Sequence, residues 1–445
     1  MRCNRITRRQ FVAGAAAASG ATLAAPFVHT AHAAGTLTLG LWDHWVPGGN
    51  KATEAIVKAW AEKEKVDVKI DFITSQGNKL LLTLAAEGQA RSGHDIVAMP
   101  TWQPSRYADR LEPVDDLMTD LLKDNGSVKS VVEYLGKITG NWVAVPATVG
   151  SQMKGPASRI DLLEKLAGVD IQAMYPAGSP PKNDDWTMDK FLEVAKACHK
   201  GGHPIGIGLG TTSDSVDSAG AFFAAFGAVL VDKDSNITVK SDNVREVLSY
   251  YKELVGYLPP NAAAWDDASN NKWLVSGKGS MIMNPPSAWA VAVRDAPQIA
   301  EQLWHHGMPK GPAGRFGPFL QYFWGIWSFS KNKSAAKSLL RHMSSRESAQ
   351  QMVAASKGYD IPAFAELKKF KTWAEVSPPK GTLFSYPDPY GDQTLSMAAM
   401  PSPHSIAEQI YTQGLMTKMI VRHFRGDDLE KTLAWAESEL EGYMR

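Results

Sequence analysis

The sequence predicts an α/β protein built as two domains. Three observations carry that prediction. Strand-like and helix-like periodicities alternate along residues 37–99. The chain is 445 residues long, more than a single hydrophobic core usually organises. Its 44% hydrophobic and 21% charged residues are the balance of an ordinary globular protein.

The elements follow in order. Leu37, Leu39 and Leu41 alternate with small or polar residues and read as a first strand. The loop Trp42-Asp43-His44-Trp45-Val46-Pro47-Gly48-Gly49 leads to a helix from about Lys51, with Ile56, Val57 and Trp60 inward. Val66, Val68, Ile70 and Phe72 interleave with Asp67, Lys69 and Asp71, the cleanest strand pattern in the chain. A second helix is expected over 80–90 and a third strand over 94–99. Strand, helix, strand, helix, strand implies a parallel sheet with right-handed crossovers. Ligands of such sheets sit beyond the carboxyl ends of the strands, which puts the loops 42–45, 74–78 and 100–103 on one rim.

Further along, 141–147 reads as a strand, 187–200 as a helix capped by Thr187, 205–210 as a glycine-rich strand and 219–231 as a buried helix. The segment 244–258 is amphipathic through Val247, Leu248, Tyr251 and Leu254. A short buried strand follows at 281–283, a loop at 307–317, a strand at 322–329 and a helix at 334–343. Phe323, Trp327 and Phe329 read as core, and proline-rich 377–403 as irregular structure. Asp427 and Glu430 are expected to cap a last helix that buries Leu429, Leu433, Ala436 and Leu440.

The first 33 residues read as a cleavable export signal. Thr7-Arg8-Arg9-Gln10-Phe11-Val12 resembles the twin-arginine pattern, an alanine-rich apolar stretch follows, and Ala31-His32-Ala33 supplies a small-x-small cleavage site. Cleavage would remove four arginines and no acid, changing the formal net charge from +1 to −3. That balance excludes a nucleic-acid or anionic-surface partner from the expectations. It would also remove Cys3 and leave Cys198 alone, without an intramolecular disulfide. Phe191, Ala195 and Cys198 fall on one helical face, so the thiol reads as packed and inert.

Other motifs dissolve on inspection. Asp232-Lys233-Asp234-Ser235-Asn236 opens like a calcium loop, but Ile237 and Asn243 stand where glycine and glutamate are needed, so a polar turn is expected. Gly206-Ile207-Gly208-Leu209-Gly210 lacks dinucleotide spacing, and Gly201-Gly202 separates His199 from His203. No metal and no cofactor are expected.

A series of segments, in this order, resembles the extracellular solute-binding proteins of ABC importers, in the carbohydrate-binding branch that includes maltose-binding protein. Leu37 to Trp45 is similar to that family's first strand and aromatic loop, and Gly93-His94-Asp95-Ile96-Val97 to its "G-x-D-I/V" strand entry. Tyr107-Ala108 with Leu111-Glu112-Pro113-Val114-Asp115-Asp116-Leu117 resembles "YA…L-x-P-L-D-D-L". Gly277-Lys278-Gly279-Ser280-Met281-Ile282-Met283-Asn284 resembles "G-K-x-A-M-x-x-N-G", followed at similar spacing by Pro309-Lys310-Gly311-Pro312 and Ser330-Lys331-Asn332-Lys333-Ser334-Ala335-Ala336. Two places depart from the pattern. Ser158 to Leu163 stands where the family often has an aromatic-rich "Y-N-K-D-L-F", and Pro285-Pro286 replaces its glycine.

The resemblance implies a two-lobed periplasmic binding protein fold, with a cleft between lobes and crossover hinge strands. By analogy, lobe one is 36–147 plus 324–357 and lobe two 148–323 plus 358–445. It implies a monomeric periplasmic receptor that delivers a mono- or oligosaccharide or polyol to a membrane permease. A sugar needs flat aromatic walls and planar hydrogen-bonding groups. The rim loops offer Trp42, Asp43, His44 and Trp45, then Gln76 and Asn78, then Thr101, Trp102 and Gln103. Gln152 falls where the family often places a polar contact, and Tyr411, read as beginning a helix, where it often places an aromatic platform. Asp214 and Asp217 follow a strand, Trp289 follows the Asn284 motif, and Gln321, Tyr322 and Trp324 lie at the second crossover. The tryptophans and Tyr411 read equally as packing, Asp43 as a helix cap and His44 as a hydrogen-bonded loop residue. Two rival functions remain open at this point. One is a secreted carbohydrate-active enzyme using Asp43 and Asp217. The other is a receptor for a charged solute such as a polyamine, sugar acid or phosphate ester.

Overall fold

The computed structural model describes residues 36–181, 185–386 and 393–445. The export signal read over 1–33, and Cys3 within it, lie outside those residues. The chain opens with β1 (Thr36–Trp42), α1 (Gly49–Glu64), β2 (Asp67–Ile73), α2 (Lys79–Ala90) and β3 (Ile96–Pro100). β1 lies parallel to both other strands, with Leu39 opposite Ile70 on one side and Ile96 on the other. Its central position explains its burial, whereas β2, at the sheet edge, carries its alternating charges half-exposed.

Two crossings follow. β4 (Val145–Pro146) ends the first visit to this sheet, and β5 (Gln152–Met153) and β6 (Pro156–Arg159) belong to others. Between them Gly150 has φ 88°, and a Cβ there would come within 2.8 Å of the Tyr322 ring, so glycine is required on both counts. The second region is richer in helices: α3 (Met188–Lys200), α4 (Ser213–Ala225), α5 (Asp242–Val255) and α6 (Ser269–Val275). β7 (Met281–Met283) and β8 (Leu303–His305) flank β6 antiparallel, and β9 (Gly314–Leu320) pairs with β5. After Gln321 alone, β10 (Tyr322–Ile326) is back in the first sheet, antiparallel to β3 and β4, giving the order β2-β1-β3-β10-β4. α7 (Lys333–Met343) and α8 (Arg346–Ala355) then pack on α1.

Beyond α8 the chain visits both regions. The Ala365 N–H donates to the Ser127 carbonyl, whereas Thr382 pairs with Leu303 and His305 of β8. β11 (Gln393–Ser396) runs parallel to β9, and α9 (His404–Thr412), α10 (Leu415–Phe424) and α11 (Leu429–Tyr443) close the chain. Leu37, Ile56, Trp60, Leu339 and Met343 form one core between β1, α1 and α7. Phe191, Phe222, Leu248, Ile420 and Leu433 form another among the helices of the second region. No helix among the described residues is long and apolar enough to cross a membrane.

Several elements differ from the sequence reading. Residues 205–210 form no strand, only a bridge from Gly206 to Ile282. The buried helix begins at Ser213 rather than 219, because the Thr212 side chain accepts from Ser215 N–H and starts it early. The expected loop 307–317 contains a turn into β9, with Lys310 opposite Arg315. The last helix is capped by Asp428, which accepts from the N–H groups of Glu430 and Lys431. Tyr411 stands at the end of α9 rather than at a helix start. The proline-rich stretch contains β11. Cys198 is fully buried, and burial pushes its thiol up, away from the reactive thiolate. Asp232 accepts from the Asp234 and Asn236 N–H groups and closes a turn.

Candidate functional site

The carboxyl ends of β1, β2 and β3 face the β9–β10 crossing and the start of α4. Two connected chambers lie between them. Trp42, Trp45, Gln152, Asp214, Tyr322 and Tyr359 line the first, and Asn78, Trp102, Gln103, Tyr322 and Tyr411 the second. Ser75, Ser213, Asp267 and Leu320 border both. They hold about 30 and 100 Å³, well short of the roughly 300 Å³ of a small-ligand site, so admitting a solute requires the walls to part.

One wall is aromatic. The Trp42 ring lies 5.4 Å from that of Tyr322 and stacks at 6.1 Å on Tyr359. His44 holds this wall from behind. Its Nδ1 accepts from the Val46 N–H, which leaves Nε2 to donate to Asp360 at 3.0 Å. The other oxygen of Asp360 accepts from Gly150 N–H at the first crossing. The loop after β1 is thereby tied to a hinge segment.

The opposite wall carries a buried ionic cluster. Lys154 is fully buried and donates at 2.8 Å to both Asp214 and Asp217. Burial opposes its charge, but the two carboxylates outweigh burial and raise its pKa. Asp214 also accepts from Asn270. Burial pushes Asp217 up against the pull of Lys154. Asp267 is pushed up to about 7, first by burial and then by Asp214. Nearby, Asn284 donates to Asn271 and Ser287.

Buried polar atoms are almost always hydrogen-bonded. Here the Nε1 atoms of Trp42 and Trp102, Gln152 Oε1, Asp267 Oδ1 and the Tyr411 hydroxyl are buried without a hydrogen-bond partner among the described residues, and all five residues line the chambers. The Thr101 hydroxyl and Asp217 Oδ1 just behind them are in the same condition.

Of the residues singled out in the sequence, Trp42, Trp45, Asn78, Trp102, Gln103, Gln152, Asp214, Tyr322 and Tyr411 meet at the chambers. Others do not reach them. Asp43 is exposed and accepts from Asn50, and Gln76 is exposed in a short turn. Asp217 is sealed behind Lys154, so it does not pair with the exposed Asp43 across the cleft. Trp289 is buried and donates to the Pro378 carbonyl, Gln321 binds Ser151 and Ala147 to fasten the two crossings, and Trp324 packs within the sheet. Lys154, Asp267, Asn271, Ser287 and Tyr359 escaped sequence reasoning. Lys154 had a faint signal: it stands two residues beyond Gln152 in an extended crossing, where side chains two apart share a side. Asp267 stands beside Asp266 just ahead of α6, with no local pattern that marks it for the cleft.

Sheets joined by crossing strands, with polar and aromatic walls closing on a cleft, define a two-lobed binding protein. The chain belongs to the bacterial extracellular solute-binding protein family, whose model it matches over residues 55–378. Solved structures share the fold. The maltose-bound MalE3 of T. maritima has a TM-score of 0.73 at 18% identity, over 91% of this chain and 99% of that one. A solute binding protein of Thermotoga lettingae bound with alpha-D-tagatose gives 0.72 at 17%, over 93% and 100%. A sugar transporter of Arthrobacter chlorophenolicus with bound laminaribiose gives 0.70 at 16%, over 92% and 99%. A search of curated proteins gave no match.

Proposed function

We propose that the protein captures a carbohydrate in this cleft, outside the cytoplasm, and passes it to the membrane permease of an ABC importer. The carrying observation is the set of unpartnered polar atoms contributed by both walls beside the faces of Trp42, Tyr322 and Tyr359. A sugar presents hydroxyls at its edge and C–H groups on its faces, the complement of those walls. The structurally similar proteins bound to maltose, tagatose and laminaribiose favour the same ligand class. Of the contacts read from the sequence, the proposal keeps Trp42, Trp45, Asn78, Trp102, Gln103, Gln152, Asp214, Tyr322 and Tyr411, joined by Asp267 and Tyr359. The twin-arginine pattern around Arg8 and Arg9 supports export of a folded chain to the periplasm.

The lobes are 36–147 plus 324–357 and 148–323 plus 358–445, as read from the sequence, with the last crossing drawn later, between Ala365 beside Ser127 and Thr382 beside β8. The receptor works as a monomer without cofactor, metal or nucleic acid. Closure selects the liganded form because only a bound solute offers partners to both walls at once.

Thermal unfolding across a panel of mono- and oligosaccharides and polyols tests the reading. A true ligand at a hundred times its Kd stabilises the native state by about 2.7 kcal/mol and raises Tm by several degrees. No shift across the panel, with no ligand-dependent compaction in solution scattering, overturns it.

A further inference from the structure

We propose that the solute carries a basic nitrogen on its polyol frame, as an amino sugar or aminocyclitol does, and that its ammonium group sits between Asp267 and the aromatic wall. This rests on the carbohydrate reading above and narrows it.

The first ground is the charge of the lining. Asp214 and Asp267 border the first chamber and Asp267 the second, and among the described residues no lysine, arginine or histidine lines either. The nearest cation, Lys154, is fully buried and already bonded to Asp214 and Asp217. The cluster as a whole sets one ammonium against three carboxylates.

The second ground is unmet hydrogen bonding. Asp267 Oδ1 is buried without a partner among the described residues, and so is Oε1 of Gln152, a residue only 6% exposed. Both are acceptors on one chamber, and they call for a donor-rich group. A neutral hydroxyl satisfies an acceptor but leaves the charge of Asp267 enclosed when the walls close. An ionised carboxylate shut away from water is costly unless a counter-charge accompanies it.

The third ground is independent of the carboxylates. Trp42, Trp45, Tyr322 and Tyr359 line that same chamber, and aromatic faces attract organic cations. Rings of this kind also stack on sugar C–H faces, so one wall serves both halves of an amino sugar.

Burial and Asp214 push Asp267 up to about 7, against Lys154 and a hydrogen bond from Thr212. The hydroxyls of Tyr322 and Tyr411 also feel its charge, both phenols being held neutral by burial. A bound ammonium favours the ionised carboxylate. Amine binding therefore weakens as pH falls below 7 and Asp267 takes up a proton, while a neutral sugar is unaffected or gains.

Calorimetric titration of the exported chain with matched ligands tests this: D-glucosamine against D-glucose, D-galactosamine against D-galactose, the glucosamine disaccharide against cellobiose, and putrescine as a cation without a sugar. At least one amine is expected to bind about ten-fold or more tighter than its neutral partner at pH 7. That preference is expected to fall to about three-fold or less in Asp267→Asn, to survive in Asp267→Glu, and in the unchanged protein to shrink about ten-fold between pH 7 and pH 5. The pH series decides the matter if either variant misfolds. Neutral sugars binding as tightly as the amines, or a preference untouched by Asp267→Asn and by pH, overturns this inference and leaves the carbohydrate reading standing. Putrescine binding while every sugar fails, or no binding at all, overturns both.

Discussion

Two buried ionic clusters in this protein use the same ingredients to different ends. Beside the edge of the first sheet, His94 lies between Glu87, at 2.5 Å from Nδ1, and Asp71, at 3.1 Å from Nε2. The second oxygen of Glu87 accepts from Trp327 Nε1 at 2.9 Å, and Gly40 of β1 leaves room for the ring, since a Cβ there would come within 2.7 Å of it. At the cleft, Lys154 lies between Asp214 and Asp217 with equally short contacts, yet the neighbouring Asp267 Oδ1 has no partner among the described residues. A saturated cluster fastens α2 to the sheet. An unsaturated one in a closing cleft keeps capacity for something that arrives from outside. A cation held between two carboxylates is common to both places, so that pairing alone does not identify a site. Unmet hydrogen bonding does.

The sharpest way to break this comparison is to remove each central cation's balance. Lys154→Met leaves Asp214 and Asp217 buried with no counter-charge and should cost about 3–5 kcal/mol in denaturant unfolding, the penalty of breaking a buried pair on one side. A loss below ~1 kcal/mol would mean that water already reaches these carboxylates. Glu87→Gln should cost about 1–3 kcal/mol, since it leaves a hydrogen-bonded network short of one charge. It should also flatten a pH dependence. Burial disfavours the His94 imidazolium, but Glu87 and then Asp71 outweigh it and raise its pKa. The stabilisation from a raised histidine is complete below the unfolded value of about 6.5 and is lost as pH rises through the folded value. Unfolding free energies from pH 6 to 9 for both proteins would check this, and parallel slopes would remove His94 as the source. The smallest effect has the opposite sign. Asp267 is a carboxyl with a raised pKa, so its ionisation destabilises the ligand-free fold increasingly between pH 4 and 7. Asp267→Asn should therefore stabilise that fold by about 1 kcal/mol at pH 8 and by almost nothing at pH 4. Destabilisation at both values would make the cleft cluster structural, like its counterpart.

How much of the site was legible follows the same division. The rim loops could be located because β1, α1, β2, α2 and β3 announce a parallel sheet, and such a sheet fixes where its loops gather. That reasoning reached Trp42, Trp45, Asn78, Trp102 and Gln103. It also swept in Asp43 and Gln76, which share the loops but point to solvent, because loop membership does not determine side-chain direction. The far wall was harder. Asp214 and Asp217 were noticed as acids after a strand, but Thr212 starts α4 early, and one helical turn then separates an acid on the cleft from an acid behind Lys154. Tyr359 and Asp267 come from segments with no local pattern that marks them for the cleft.

The sequence by itself determined the alternation of strands and helices, the two-domain scale, the rim of the first sheet and the pattern of an export signal, because these depend on periodicity and on short-range chemistry. Only the tertiary structure decided which polar groups find partners. Lys154 becomes the centre of an ionic cluster, His44 a brace on Asp360, and Asp267 an unmet acceptor through contacts between residues far apart in the chain. A residue's chemistry is written in its position, but whether that chemistry is already satisfied depends on neighbours that folding alone brings together.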